Sequence, residues 1–263
     1  TNHQTKNHME RKKPLRWLIK PVVLVMAGLL ISPVIHGENR DSIFYHCYIS
    51  SDMETWKATM HQMEQEYQDG DSYHELFEIT LAWYGYIGYC IGNELEDEAE
   101  EYLESGWTHL NQLIESPRAG AAAYAMKSGF YGFEMGLSKF KAVVLGRRSV
   151  AALKKAAAID SSNVHYLVEK GNQMYYMPSF LGGDDEVALH HYKKAAETIE
   201  SGKAYHKRHW FYLNTMVVLV HTYERTGRIE KARATYRKIL KQTPRFEWLK
   251  DELWPDFVEK HGR

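Results

Sequence analysis

Apolar residues recur every three or four positions through most of this chain, the spacing that gives a helix one buried face. In "SDMETWKATMHQMEQEY" the residues Met53, Trp56, Met60, Met63 and Tyr67 form such a stripe. It predicts an amphipathic helix whose methionines and aromatics belong to a core. The run "LAWYGYIGYCIG", Leu81 to Gly92, is only 12 residues long, which suits a buried helix and falls short of the roughly 20 residues a bilayer span needs. "NELEDEAEEYLESGWTHLNQLI" follows as its amphipathic partner. Next comes "AGAAAYAMKSGFYGFEMGLSKF", where Gly132 and Gly136 spell G-x-x-x-G. Lys127, Glu134 and Lys139 contradict a membrane span, so these two glycines are expected to let soluble helices approach closely. "LGRRSVAALKKAAAIDSSN" then reads as a second helix of a pair, closed by an Asp-Ser-Ser-Asn turn.

A repeat emerges most clearly near the carboxyl end, in "MVVLVHTYERTGRIEKARATYRKILKQTP". The pattern W-x2-L-G-x2-Y, A-x3-F, P is met by Leu219, Tyr223, Ala232, Tyr236 and Pro244, with Gly227 in the turn; Met216 and Val220 depart from it. Leu219 and Tyr223 share a face of the first helix, Ala232 is small where the second helix must pack close, and Pro244 ends the unit. This stretch resembles a tetratricopeptide repeat (TPR). The same A-x3-F spacing returns at Ala188 and Tyr192, with Ala195 following, and more faintly at Ala99 and Leu103. At the end, "RFEWLKDELWPDFVEK" sets Phe246, Leu249, Leu253 and Phe257 on one stripe beside Trp248 and Trp254, a capping helix over an open solenoid end. The fold class expected is therefore all-α, a TPR-like α-solenoid of antiparallel helix pairs, with a single domain over 38–263 and its clearest repeats at 169–201 and 213–246.

The segment "PSFLGGDDEVALHHYKKAAE" lengthens the turn of the earlier repeat. Pro178 disfavours helix continuation, Gly182 and Gly183 permit a closing turn, and Asp184 is a natural N-cap with Asp185 and Glu186 in the first helical turn. A phosphate cradle would need a glycine loop followed by Lys and Ser or Thr, and three successive acids repel phosphate. The P-x3-G-G-D segment is similar to one in a subset of exported bacterial TPR proteins that includes the TPR component of tripartite periplasmic transporters. No binding residue is carried over from that likeness.

Ahead of the domain lies "KNHMERKKPLRWLIK", with six bases and one acid, then the apolar run "PVVLVMAGLLISPVI". That order marks residues 1–37 as an export signal with cleavage expected near Gly37; the alternative is an uncleaved inner-membrane anchor over 15–35. The expected location is periplasmic or otherwise exported. Without residues 1–37 the chain keeps 27 bases and 33 acids, a net charge of −6, which argues against nucleic acid as a partner. Cys47 and Cys90 sit in apolar stretches, where a disulfide in an oxidising compartment and two buried thiols are both open.

Chemistry is sparse. There is no G-x-S-x-G and no H-E-x-x-H, so no enzyme is expected and no catalytic residue is assigned. His190 and His191 are adjacent and diverge on a helix, while His206 and His209, in the basic "HKRH" taken as a solvated helix face, have no acid nearby in sequence to complete a metal site. Neither a metal nor a cofactor is expected. The resemblance implies a concave surface lined by first helices that receives a protein or peptide partner; its candidate residues are Asn172, Tyr175, Tyr176, Asn214 and His221. The alternative is a periplasmic small-ligand-binding component associated with a transporter, with the Pro178–Asp184 loop folding over a pocket.

Overall fold

The computed structural model describes residues 37–67 and 72–262; the expected signal or anchor lies outside them. Eleven α-helices and no strand occur among the described residues: α1 (Gly37–Ser50), α2 (Met53–Glu66), α3 (Tyr73–Gly92), α4 (Glu96–Glu115), α5 (Ala121–Leu137), α6 (Ala142–Asp160), α7 (Val164–Tyr176), α8 (Asp185–Glu200), α9 (Trp210–Arg225), α10 (Ile229–Gln242) and α11 (Trp254–His261). Side chains placed before several of these helices fix their starts. Asp52 accepts from the Thr55 amide, Ser72 from Glu75, Asn163 from His165 and Tyr166, and Asp184 from Glu186 and Val187. Helices α3 and α4, α5 and α6, α7 and α8, and α9 and α10 pack as pairs across short connections, and each pair packs on the next. The result is an all-α, solenoid-like stack.

The positions that sequence spacing singled out are the ones the pairs bury. Ala99, Ala188, Tyr192, Ala195, Ala232 and Tyr236 lie in the core, as do Leu103, Leu219 and Tyr223. Phe246, Leu249 and Phe257 cap the last pair, with Leu253 half-buried because a π turn at Leu249–Leu253 interrupts the α-helical register.

Two expectations need correction, and one left open is decided. Gly132 and Gly136 are exposed, and a Cβ on Gly132 would meet nothing within 4 Å. The close approach in α5 is made by Gly129, where a Cβ would stand 2.7 Å from Glu169 Oε1 and from Tyr84 Cε2. The "HKRH" stretch is part of the loop between α8 and α9, with His206, Lys207 and Arg208 exposed but His209 only 1% exposed. His209 is buried because it caps α9, its Nδ1 accepting the Phe211 amide at 3.1 Å. Cys47 and Cys90 are both free thiols in the core; burial pushes them up to about 12 and about 11 respectively.

Helix α1 departs from the simple solenoid. It packs on α2 and on α9, with Phe44 against Trp56 (4.7 Å between ring centroids) and the Tyr45 hydroxyl 3.3 Å from Thr243 Oγ1. Trp56 in turn meets Trp210 edge-on at 5.2 Å, over the bare backbone of Gly85. This aromatic seam joins α1 and α2 to α9.

Candidate functional site at the carboxyl end of α7

The carboxyl end of α7 and the turn into α8 form the one corner where several of the expected groove residues meet. Two glycines make it possible. Gly129 admits the carboxylate of Glu169, and Gly171 lies flat on the ring of Tyr192, to whose Cε1 a Cβ would come within 2.5 Å. Glu169 is buried and accepts a short hydrogen bond from the Tyr84 hydroxyl. Burial raises its carboxyl to about 7, against the lowering effect of the Tyr84 and Asn172 hydrogen bonds. Asn172 Oδ1 accepts from the Tyr192 hydroxyl at 2.7 Å, so its amide is held by the core from below.

Above this layer Tyr175 and Tyr176 stand edge to face, 4.9 Å between centroids. The Arg225 guanidinium stacks on Tyr175 at 4.0 Å, donates to the Tyr175 carbonyl at 3.1 Å and pairs with Asp185 at 2.7 Å. Tyr176 projects outward, 72% exposed. Beside it the turn carries Phe180 and Leu181, 84% and 64% exposed. That turn is built by backbone bonds: the Asp184 amide donates to the Met174 carbonyl at 3.0 Å, and the Gly183 amide to Pro178 at 3.1 Å. Gly182 takes φ +102°, and Gly183 lies so close under the Met177 carbonyl that no Cβ fits. The sequence reading missed Phe180 and Leu181; their placement between two helix-breaking signals was the available cue.

Asn214 and His221 are elsewhere. Asn214 Oδ1 accepts from the Tyr48 hydroxyl of α1 at 3.2 Å, so an internal helix already occupies that position. His221 faces the end of the stack, 3.8 Å from Glu224, a carboxylate also approached by His261 and Tyr236. Burial lowers the His221 pKa, with Glu224 partly opposing it.

A separate titratable cluster joins three elements that sequence keeps far apart. Asp41 in α1, Glu78 in α3 and His209 before α9 bring their ligand-type atoms within 4.8 Å of one another. The lone pair of His209 Nδ1 is taken by the Phe211 amide, so in the neutral ring Nε2 bears the proton and faces Asp41 at 3.9 Å. Burial, with smaller contributions from His206 and His165, lowers the His209 pKa to about 3. Burial and the neighbouring Asp41 raise Glu78 to about 8. The arrangement is a half-buried pair of carboxylates beside an N–H group, and with the Nδ1 lone pair taken by the Phe211 amide and the proton on Nε2, His209 offers a cation no lone pair.

No protein-family model and no curated protein matches the sequence. Among solved structures, the HusA haemophore from Porphyromonas gingivalis is similar, with a TM-score of 0.54 and 14% identity over 68% of this chain and 90% of that one. At that identity the likeness is one of fold: this chain follows the helical path of that haemophore over most of the haemophore's length.

Proposed function

We propose that this is an exported TPR protein without catalytic chemistry, which binds a protein or peptide partner in the cell envelope at the α7–α8 corner. The observation that carries the reading is the exposure of Tyr176, Phe180 and Leu181 on a turn held in place by its own backbone bonds. Aromatics beside an arginine are the composition of recognition hot spots, and a turn that is already ordered loses little freedom when a partner docks. The TPR assignment is supported by the burial of Ala188, Tyr192, Ala232 and Tyr236 at the spacing the repeat requires. The test is in-cell photo-crosslinking from position 180. A reproducible protein adduct that disappears in Tyr176→Ser supports the reading, and its absence from a folded, exported chain overturns it.

A second reading is small-ligand capture at the same corner, haem in particular, favoured by the fold likeness to a haemophore. Exposed Tyr176 offers a ring face for a flat macrocycle, beside the Arg225 cation that the Tyr175 ring and Asp185 already hold. Titration with haem, followed by absorbance, separates the two: saturable one-to-one binding that is lost in Tyr176→Ser favours capture. A linear response identical in the variant rejects it.

A further inference from the structure

The corner between α5 and α6 presents a second apolar surface, set among basic residues. Phe140 is fully exposed at the tip of a short 3-10 turn (Lys139–Lys141), and Val143 and Val144 in the first turn of α6 are 73% and 57% exposed. Single exposed apolar residues are ordinary on a protein surface, but three side by side on a projecting corner are not. The corner is rigidly built from behind. Leu145 is buried, Ser128 and Ser149 bond across the two helices at 2.7 Å, and the Lys141 amide donates to the Ser138 carbonyl at 3.1 Å.

Charge narrows what can cover it. Residues 138–149 contain Lys139, Lys141, Arg147 and Arg148 and no acid, in a chain whose net charge without residues 1–37 is −6. Lys141, Arg147 and Arg148 are exposed, and no acidic residue pairs with them among the described residues. A protruding apolar tip ringed by cations matches the two-part attraction of an anionic lipid surface, where apolar side chains enter the interfacial region and basic groups meet headgroups. The Tyr176–Phe180 corner lacks that ring, since Asp184, Asp185 and Glu186 follow it.

We propose that the α5–α6 corner docks on anionic membrane, with Phe140, Val143 and Val144 entering the interface and Lys141, Arg147 and Arg148 contacting lipid phosphates. This docking is independent of what the α7–α8 corner binds.

The test uses the full chain carrying Val143→Cys labelled with an environment-sensitive nitrobenzoxadiazole; Cys47 and Cys90 are buried and leave the new thiol as the accessible one. Vesicles of phosphatidylglycerol and phosphatidylcholine in equal parts are expected to shift the emission to the blue. Phosphatidylcholine alone should not, and added salt should reverse the shift. Lys141→Gln, Arg147→Gln and Arg148→Gln are each expected to lower partitioning by roughly fivefold, and Phe140→Ser to lower it further. Because these side chains are exposed, the variants retain the fold, which far-UV circular dichroism verifies. The proposal is overturned if the chain sediments with vesicles while the label stays unshifted, since residues 1–37 alone would then hold it. An equal shift when Lys141→Gln, Arg147→Gln and Arg148→Gln are combined in one chain, or a shift produced by an acidic soluble protein and not by vesicles, also overturns it.

Discussion

Replacing glycine by alanine at two helical positions should have opposite effects, and the difference tests the packing around α7. In a helix interior the exchange contributes up to about 1 kcal/mol of stability through propensity alone. At Gly132 of α5 nothing lies within 4 Å of the new Cβ, so Gly132→Ala should realise that gain. At Gly171 of α7 the Cβ would stand 2.5, 2.7 and 2.8 Å from three ring atoms of Tyr192. That ring is fully buried, and its hydroxyl is anchored on Asn172, so it cannot swing aside. Overpacking of this kind costs about 1–3 kcal/mol, and losing the Asn172 hydrogen bond adds about 1 kcal/mol. Set against the propensity gain, Gly171→Ala should lose about 2 kcal/mol. For a chain of this size each kcal/mol moves Tm by about 2–4 °C. Thermal unfolding followed by circular dichroism should therefore place Gly132→Ala a few degrees above the parent and Gly171→Ala about 4–8 °C below it. Shifts of the same sign, or no loss at Gly171, would refute the proposed contact between α7 and α8.

Further outcomes follow from named contacts. Ala188→Leu should overpack the α7–α8 pair and lower stability by about 1–3 kcal/mol in urea unfolding, because Ala188 is fully buried. Asp184→Ala removes the acceptor for the Glu186 and Val187 amides and should lose about 1 kcal/mol by the same assay. Glu169 and Glu78 have folded pKa values raised to about 7 and about 8 from 4.5. The folded state thus holds more protons than the unfolded one between those limits, so stability should fall as pH rises from 5 to 8. Glu169→Gln should match the parent near pH 4 and exceed it by roughly 3 kcal/mol near pH 8; a constant difference across that range would show that the Glu169 carboxyl titrates alike in the folded and unfolded chain.

The repeat positions were legible because their information is local. Ala232 and Tyr236 share a helix face by spacing alone, whatever the rest of the chain does, and the core uses that face. Which glycine makes the close approach in α5 was not legible. Gly129 and Gly132 lie one turn apart, and only the direction from which Glu169 and Tyr84 arrive distinguishes them. Likewise, His209 was read with its sequence neighbours, whereas its partners Asp41 and Glu78 come from α1 and α3. Asn214 looked free because nothing in its own helix hinted that Tyr48 would bond it. Tyr175 and Tyr176 were found together on the strength of residue type and adjacency; the exposure of one and the arginine stack on the other depend on α9.

Where a partner can bind is constrained by α1 more than by the repeats. Inserted against α2 and α9, α1 places Phe44, Tyr45, Cys47 and Ile49 in the core. Burial of a large apolar side chain is worth about 1.5–3 kcal/mol, so lifting out Phe44, Tyr45 and Ile49 alone costs on the order of 5–9 kcal/mol, comparable with the net stability of a whole domain. A ligand reaching Asn214 from the inside would have to offset that cost before showing any affinity. The α7–α8 corner carries no such cost, since Tyr176 and Phe180 are already in solvent on an ordered turn. Binding at the α7–α8 turn is therefore favoured over binding at Asn214 by the free energy that holds α1 in place.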